Sequence, residues 1–239
     1  MTGPVAARPA VRLRWGIPDA FIAWAVGFAA SFPAVIGLKA GASLGPGRTF
    51  LAVVLQNVGI VAALWLISVL KGQHSIVRDF GFPAAPSLRP TVVGVWVGAG
   101  VVGSVVVNLL LWPIERIGHL QETTQDVART VTHARGLELV LLFVAIVLVA
   151  PIVEELLFRG VLLRALQRRF STPVAVFLSA LAFGAAHIPG GGQAYALVPG
   201  LVLLGLVSGV LAARSGDLTR SICLHVGFNF LSWLFLVLR

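Results

Sequence analysis

The sequence predicts an all-α protein, a polytopic bundle of transmembrane helices with about seven spans. Of its 239 residues, 58% are hydrophobic and only 11% are charged, with a mean hydropathy of +0.96. A soluble domain would be close to half apolar and about a quarter charged. The apolar residues also fall in continuous runs, at about 17–38, 50–70, 91–113, 137–163, 173–188, 196–213 and 218–238. Each approaches the roughly 20 residues that a membrane helix requires. Their continuity argues against a barrel, whose strands alternate apolar and polar residues.

The first run follows several arginines and precedes "AGA", as a signal peptide would. At Ile17 to Leu38 it exceeds the usual apolar core of about 7–15 residues, so it is read as a retained helix. Residues 71–90 are a Pro-rich connection containing "DFGFPAAPSLRP", whose "DFG" has no other kinase feature around it. The third run carries "GVWVGAGVVG" at 94–103, a pattern expected for close helix packing. Residues 114–136, with Glu115, Arg116, Glu122, Asp126, Arg129 and Arg135, read as a solvated or interfacial helix. Glycines 190–192 in "PGGGQ" (189–193) read as an outer loop, and His74, His119 and His133 as solvated loop residues. No repeat or soluble domain is visible, and residues 1–239 are read as a single membrane domain. Within it, 1–135 are scaffold helices and 136–239 the polar-bearing core.

The net charge of +9 does not point to nucleic acid, because the 18 Lys and Arg are scattered through short loops. They read as topology signals. With the N-terminus inside, the inner segments hold Arg8, Arg12, Arg14, Lys71, Arg78, Arg89, Arg164, Arg168, Arg169, Arg214 and Arg220. The outer ones hold Lys39, Arg48, Arg116, Arg129, Arg135 and Arg239. The expected setting is therefore an integral membrane protein with a cytoplasmic N-terminus; its compact size and Ala/Gly/Arg-rich composition suggest a bacterial plasma membrane. Cys223 is the sole cysteine, which rules out an intrachain disulfide.

Among the acids, Glu154 and Glu155 alone lie deep in a run, in "APIVEELLFRGVLL". A charge at mid-membrane costs about 2.5–3.5 kcal/mol on insertion scales, so such residues are functional candidates with a partner to be found. Glu155 and Arg159 are four apart in the favourable acid-first order. Glu154 points about 100° away and has no local partner. "FGAAH" sets Phe183 and His187 on one helical face, and "HVGFN" does the same for His225 and Asn229. Glu154 lies about 21 Å of helix before Arg168, and His187 about 22 Å after Thr172, so the two reach one depth. The depth of His225, five residues past Arg220, matches less well.

A carboxylate in an apolar bundle is a better base than an exposed one. A histidine beside it can share a water, and a second histidine and an amide can stabilise an oxyanion. Together these describe hydrolysis of an acyl bond by water. Glu154, His187 and His225 would equally form a His₂Glu set for zinc. These residues alone leave a carboxylate-held and a zinc-held water both open.

The three segments "EELLFRG", "FGAAH" and "HVGFN" resemble the ordered motifs EExxxR, FxxxH and HxxxN of the CAAX protease and bacteriocin-processing (Abi) family, over roughly 136–232. That family includes the type II CAAX prenyl endopeptidases. The resemblance implies an intramembrane endopeptidase opening toward the cytoplasm and acting on a peptide or protein substrate at the membrane. It implies Glu154 as water-activating base, His187 as its partner, His225 and Asn229 as oxyanion donors, and Glu155, Arg159 and Phe183 as support, with no cofactor as the favoured form and a zinc metalloprotease as the alternative. Eight spans are expected of its eukaryotic-like members, which sets the upper count here. The other classes weighed are a non-enzymatic immunity or scaffold protein with a retained site, and a proton- or ion-coupled transporter. The latter predicts inverted repeats, and none is seen.

Overall fold

A computed structural model describes residues 14–37, 44–83, 88–117, 126–188 and 197–238. Arg8, Arg12, Lys39, His119, Glu122, Arg239 and the 189–193 loop lie outside these residues. The described residues form nine helices and no strand. They are α1 (Ile17–Ala30), α2 (Pro46–Lys71), α3 (Ile76–Phe80), α4 (Pro90–Ile117), α5 (Asp126–His133), α6 (Leu137–Gln167), α7 (Thr172–Ala185), α8 (Val198–Ser215) and α9 (Thr219–Val237). A 3₁₀ turn at Phe32–Ala34 extends α1.

Six of these, α1 with its 3₁₀ turn, α2, α4, α6, α8 and α9, are long and apolar enough to cross a membrane. The seventh expected span, α7, has 14 residues. At 1.5 Å per residue it reaches about 21 Å, short of a hydrocarbon core of about 30 Å. Large apolar side chains such as Val95, Val102, Leu109, Leu110 and Leu137 face outward, each more than half exposed. A soluble chain would not leave that much apolar surface in water. The protein is an integral membrane protein. The interfacial helix expected at 114–136 is represented by the short α5, while α4 runs on to Ile117.

The basic residues collect at one end of the bundle. The Arg14 N–H bonds the Lys71 carbonyl, Arg164 Nη2 donates to the Gly216 carbonyl (2.7 Å), and the Leu218 N–H reaches the Gly81 carbonyl. The start of α1, the end of α2, the end of α6 and the α8–α9 turn therefore lie at one level. Asp79, read from sequence as an ordinary loop acid, is buried there. It accepts from Ser68 Oγ (2.6 Å) and the Gln73 N–H, tying α3 back to α2.

Small residues set the closest crossings. A Cβ on Gly100 of α4 would lie 1.9 Å from the Leu224 carbonyl oxygen, and one on Gly227 of α9 2.0 Å from that of Val97. Gly94, Gly98 and Gly103 meet nothing within 4 Å, so only Gly100 of the glycine pattern is a packing residue. The α4–α9 crossing thus fixes α9 at the level of His225 and Asn229. We expect Gly100→Val or Gly227→Val to lose about 1–3 kcal/mol by overpacking, read as a lowered unfolding midpoint in detergent, with Gly98→Val close to neutral.

Candidate functional site

The polar residues converge on α6, and α6 is not the regular helix that periodicity suggests. It contains two π-helical segments, Val144–Val149 and Leu156–Leu163, on either side of an α-helical turn, Ala150–Glu155. Such wide turns are rare and frequent at functional sites. A cause is legible in the chain. The Ala150 N–H bonds the Ala145 carbonyl, five residues back. The next such bond would run from residue 151 to the Ile146 carbonyl, but residue 151 is proline and has no N–H. Asn229 of α9 supplies the missing donor, its Nδ2 lying 3.0 Å from Ile146 O. In the second segment the Phe158 carbonyl accepts from buried Ser179 Oγ of α7 at 2.9 Å. Gly160 packs against Phe80, whose carbonyl would lie 2.9 Å from a Cβ at that position. These contacts hold the turn that carries Glu154 and Glu155.

Glu155 and Arg159 are fully enclosed, with Arg159 Nη1 3.0 Å from Glu155 Oε1. The same carboxylate oxygen lies 3.1 Å from His225 Nδ1. Glu155 therefore holds a histidine as well as an arginine, a second link that local spacing did not suggest. The Arg159 guanidinium also lies over the Phe183 ring, 4.4 Å from its centroid. Phe183 meets the rings of Phe158, His187 and His225 edge-on at 5.2, 4.9 and 5.5 Å. One aromatic side chain thus touches the guanidinium and both imidazoles.

Glu154 points the other way, with its side chain 24% exposed. His187 Nε2 lies 3.9 Å from Glu154 Oε1, and His225 Nε2 lies 3.6 Å from Glu154 Oε2. His187 sits just beyond α7, whose short length ends it at this depth. The weaker depth match of His225 is resolved by the start of α9, where Thr219 and Ser221 are buried. The structure thus brings together Glu154, His187 and His225, with Glu155, Arg159 and Phe183 behind them and Asn229 against the first π-segment.

The hydrogen bonds fix the ring orientations. His187 Nδ1 is 2.9 Å from the Phe183 carbonyl, which can only accept, so Nδ1 carries the hydrogen. His225 Nδ1 donates likewise to the Glu155 carboxylate. In the neutral rings both Nε2 atoms are acceptors facing a carboxylate. Three acceptors around one point call for a donor between them, and the 3.6 and 3.9 Å separations exceed direct hydrogen bonds. No three His, Cys, Asp or Glu side chains among the described residues are arranged as a metal-binding set.

Beside the site lies an apolar cavity of about 210 Å³, lined chiefly by Phe21 and Trp24 of α1, Phe158 and Leu162 of α6 and Ala186 next to His187. Nothing in the linear sequence marks it, since its walls come from three helices.

Removing either member of the buried pair leaves an uncompensated charge. We expect Glu155→Ala or Arg159→Ala to cost about 3–5 kcal/mol, measured by unfolding in detergent, with the double substitution milder than either single change.

Residues 136–231 match the family described as type II CAAX prenyl endopeptidase Rce1-like. No curated protein and no solved structure matches the chain. The matched segment begins just before α6 and ends within α9, and it contains every residue of the site. The likeness to a type II CAAX prenyl endopeptidase Rce1-like domain therefore covers 96 of the 239 residues, all in the C-terminal part of the chain.

Proposed function

From an Rce1-like domain held in a membrane bundle, we propose an intramembrane endopeptidase in which Glu154 activates a water against a peptide bond. The observation that carries this reading is the facing of Glu154 by two histidines whose Nδ1 atoms are already committed elsewhere. Glu154 takes a proton from the water as the oxygen attacks the carbonyl carbon. His187, with Nε2 as acceptor, orients that water. The imidazole of His225, once it carries a proton on Nε2, donates to the developing oxyanion, and Glu155 stabilises its positive charge. Collapse of the tetrahedral intermediate returns the proton from Glu154 to the leaving amine. No step is routed through a metal.

Asn229 takes a positioning role in this scheme. Its amide is engaged by the carbonyl that Pro151 leaves open, so it sets the turn that presents Glu154. The neighbouring apolar cavity receives an apolar part of the substrate, a side chain or lipid tail, which explains why the site opens beside Phe158 and Ala186.

Glu154→Gln and His187→Ala are expected to leave the unfolding midpoint within a degree or two of the parent. Cleavage of a fluorogenic membrane peptide should fall by about 10²–10⁴-fold, the range of a lost general base. Full activity in Glu154→Gln would sink the mechanism, and activity that vanishes on chelation and returns with zinc would replace it with a metal-held water. Asn229→Ala should instead lower stability and turnover together, the orphaned carbonyl costing about 1–3 kcal/mol.

A further inference from the structure

At the basic end of the bundle, on the far side of α6 from the site, lies a cavity of about 390 Å³. It is lined by Arg14, Trp15 and Asp19 at the start of α1, Lys71 at the end of α2, and Arg168 and Arg169 just beyond α6. Four cations therefore meet one acid, and that acid is already saturated. Asp19 Oδ1 pairs with Lys71 Nζ at 2.5 Å, and its Oδ2 accepts the Gly16 N–H at 2.8 Å. The three guanidinium groups share this one acid with Lys71, and the lining carries an excess of positive charge.

One of them is built into place. The Arg168 guanidinium lies over the Trp15 ring, 4.2 Å from its centroid, and donates to the Trp15 carbonyl at 2.5 Å. Its stem is thereby fixed and the rest of its fork left open. Burial, and after it the charge of Arg169, push its pKa down, so the pocket as it stands disfavours its own charges. Trp15 is itself buried, packed edge-on against Phe80, and its indole N–H has no acceptor among the described residues. A planar fork and further cations around one cavity match the oxygens of a phosphate group.

We propose that this cavity binds the phosphate of an anionic phospholipid headgroup. Its position selects the lipid source. The cavity stands where three membrane spans end, at the level that headgroups occupy, and basic pockets between helix ends hold anionic lipids by this chemistry. The acyl chains then continue along the exposed apolar faces of α1 and α2, where Phe21, Ile22, Leu66 and Leu70 point outward. The proposal is independent of the protease reading.

The full-length protein in neutral detergent micelles, titrated with phosphatidylglycerol, tests it through the thermal unfolding midpoint. We expect a saturable rise with phosphatidylglycerol and none with phosphatidylcholine. Arg14→Gln/Arg169→Gln removes two open guanidiniums while sparing the Arg168–Trp15 contact and the Arg14 backbone bond. It should keep the parent midpoint without lipid and need about tenfold more phosphatidylglycerol for half-saturation. An equal response from the double variant would overturn the site, as would no response to phosphatidylglycerol in the parent. The same rise from inorganic phosphate in lipid-free micelles would assign the cavity to a free phosphate and overturn the lipid source.

Discussion

One carboxylate oxygen organises the C-terminal half of this protein. Glu155 Oε1 lies within about hydrogen-bonding reach of both Arg159 and His225, and all three side chains are sealed from solvent. Burying an ion pair among apolar helices is costly, and the pair alone is weak evidence of stability. The arrangement becomes intelligible once the histidine is included. The arginine and the histidine share one Glu155 oxygen, His225 donates to it through Nδ1, and this leaves Nε2 facing Glu154. Phe183 completes the set by packing against the guanidinium and the two rings, so none of the three can rotate away independently.

The backbone of α6 serves the same end. A regular α-helix would put adjacent residues about 100° apart and give each carbonyl an internal partner. Here the two π-segments break that pattern on both sides of the glutamates, and each lends a carbonyl to a side chain of a neighbouring helix. Asn229 takes one and Ser179 the other. The two helices that lead to the histidines are thereby keyed to the helix that carries the carboxylates. A proline at 151 is then no defect in a membrane helix. It removes an N–H where a partner's amide is available to replace it.

What could be read from the chain follows from which forces are local. Long apolar runs state directly that these segments lie in lipid, and the short supply of intramembrane charge singles out Glu154, Glu155 and Arg159. Helical spacing separates the roles of the two acids, because Arg159 is one turn from Glu155 and from nothing else. Other features depend on registration between helices. The link from Glu155 to His225 spans 70 residues, and the level of α9 is set by its crossing with α4 at Gly100 and Gly227, which no count from Arg220 reveals. The π-segments follow from tertiary partners of carbonyls, and periodicity carries no trace of them. The glycines show the same limit: four lie between 94 and 103, and only contact with Leu224 distinguishes Gly100 from the others.

These constraints also explain why the site is rigid behind and open in front. Glu155, Arg159, Phe183 and His225 are buried almost completely, whereas Glu154 and His187 each keep about a quarter of their side chain accessible. A hydrolytic base needs both conditions. Water must reach it, yet the groups that set its neighbours' protons must not exchange partners with solvent. The short α7 meets the first condition by ending near the level of Glu154, with His187 just beyond its last turn. The full-length α6 and α9, locked together through Glu155–His225 and Ile146–Asn229, meet the second. Lengthening α7 by two turns would complete an ordinary span and carry helix past the one face of Glu154 that is open.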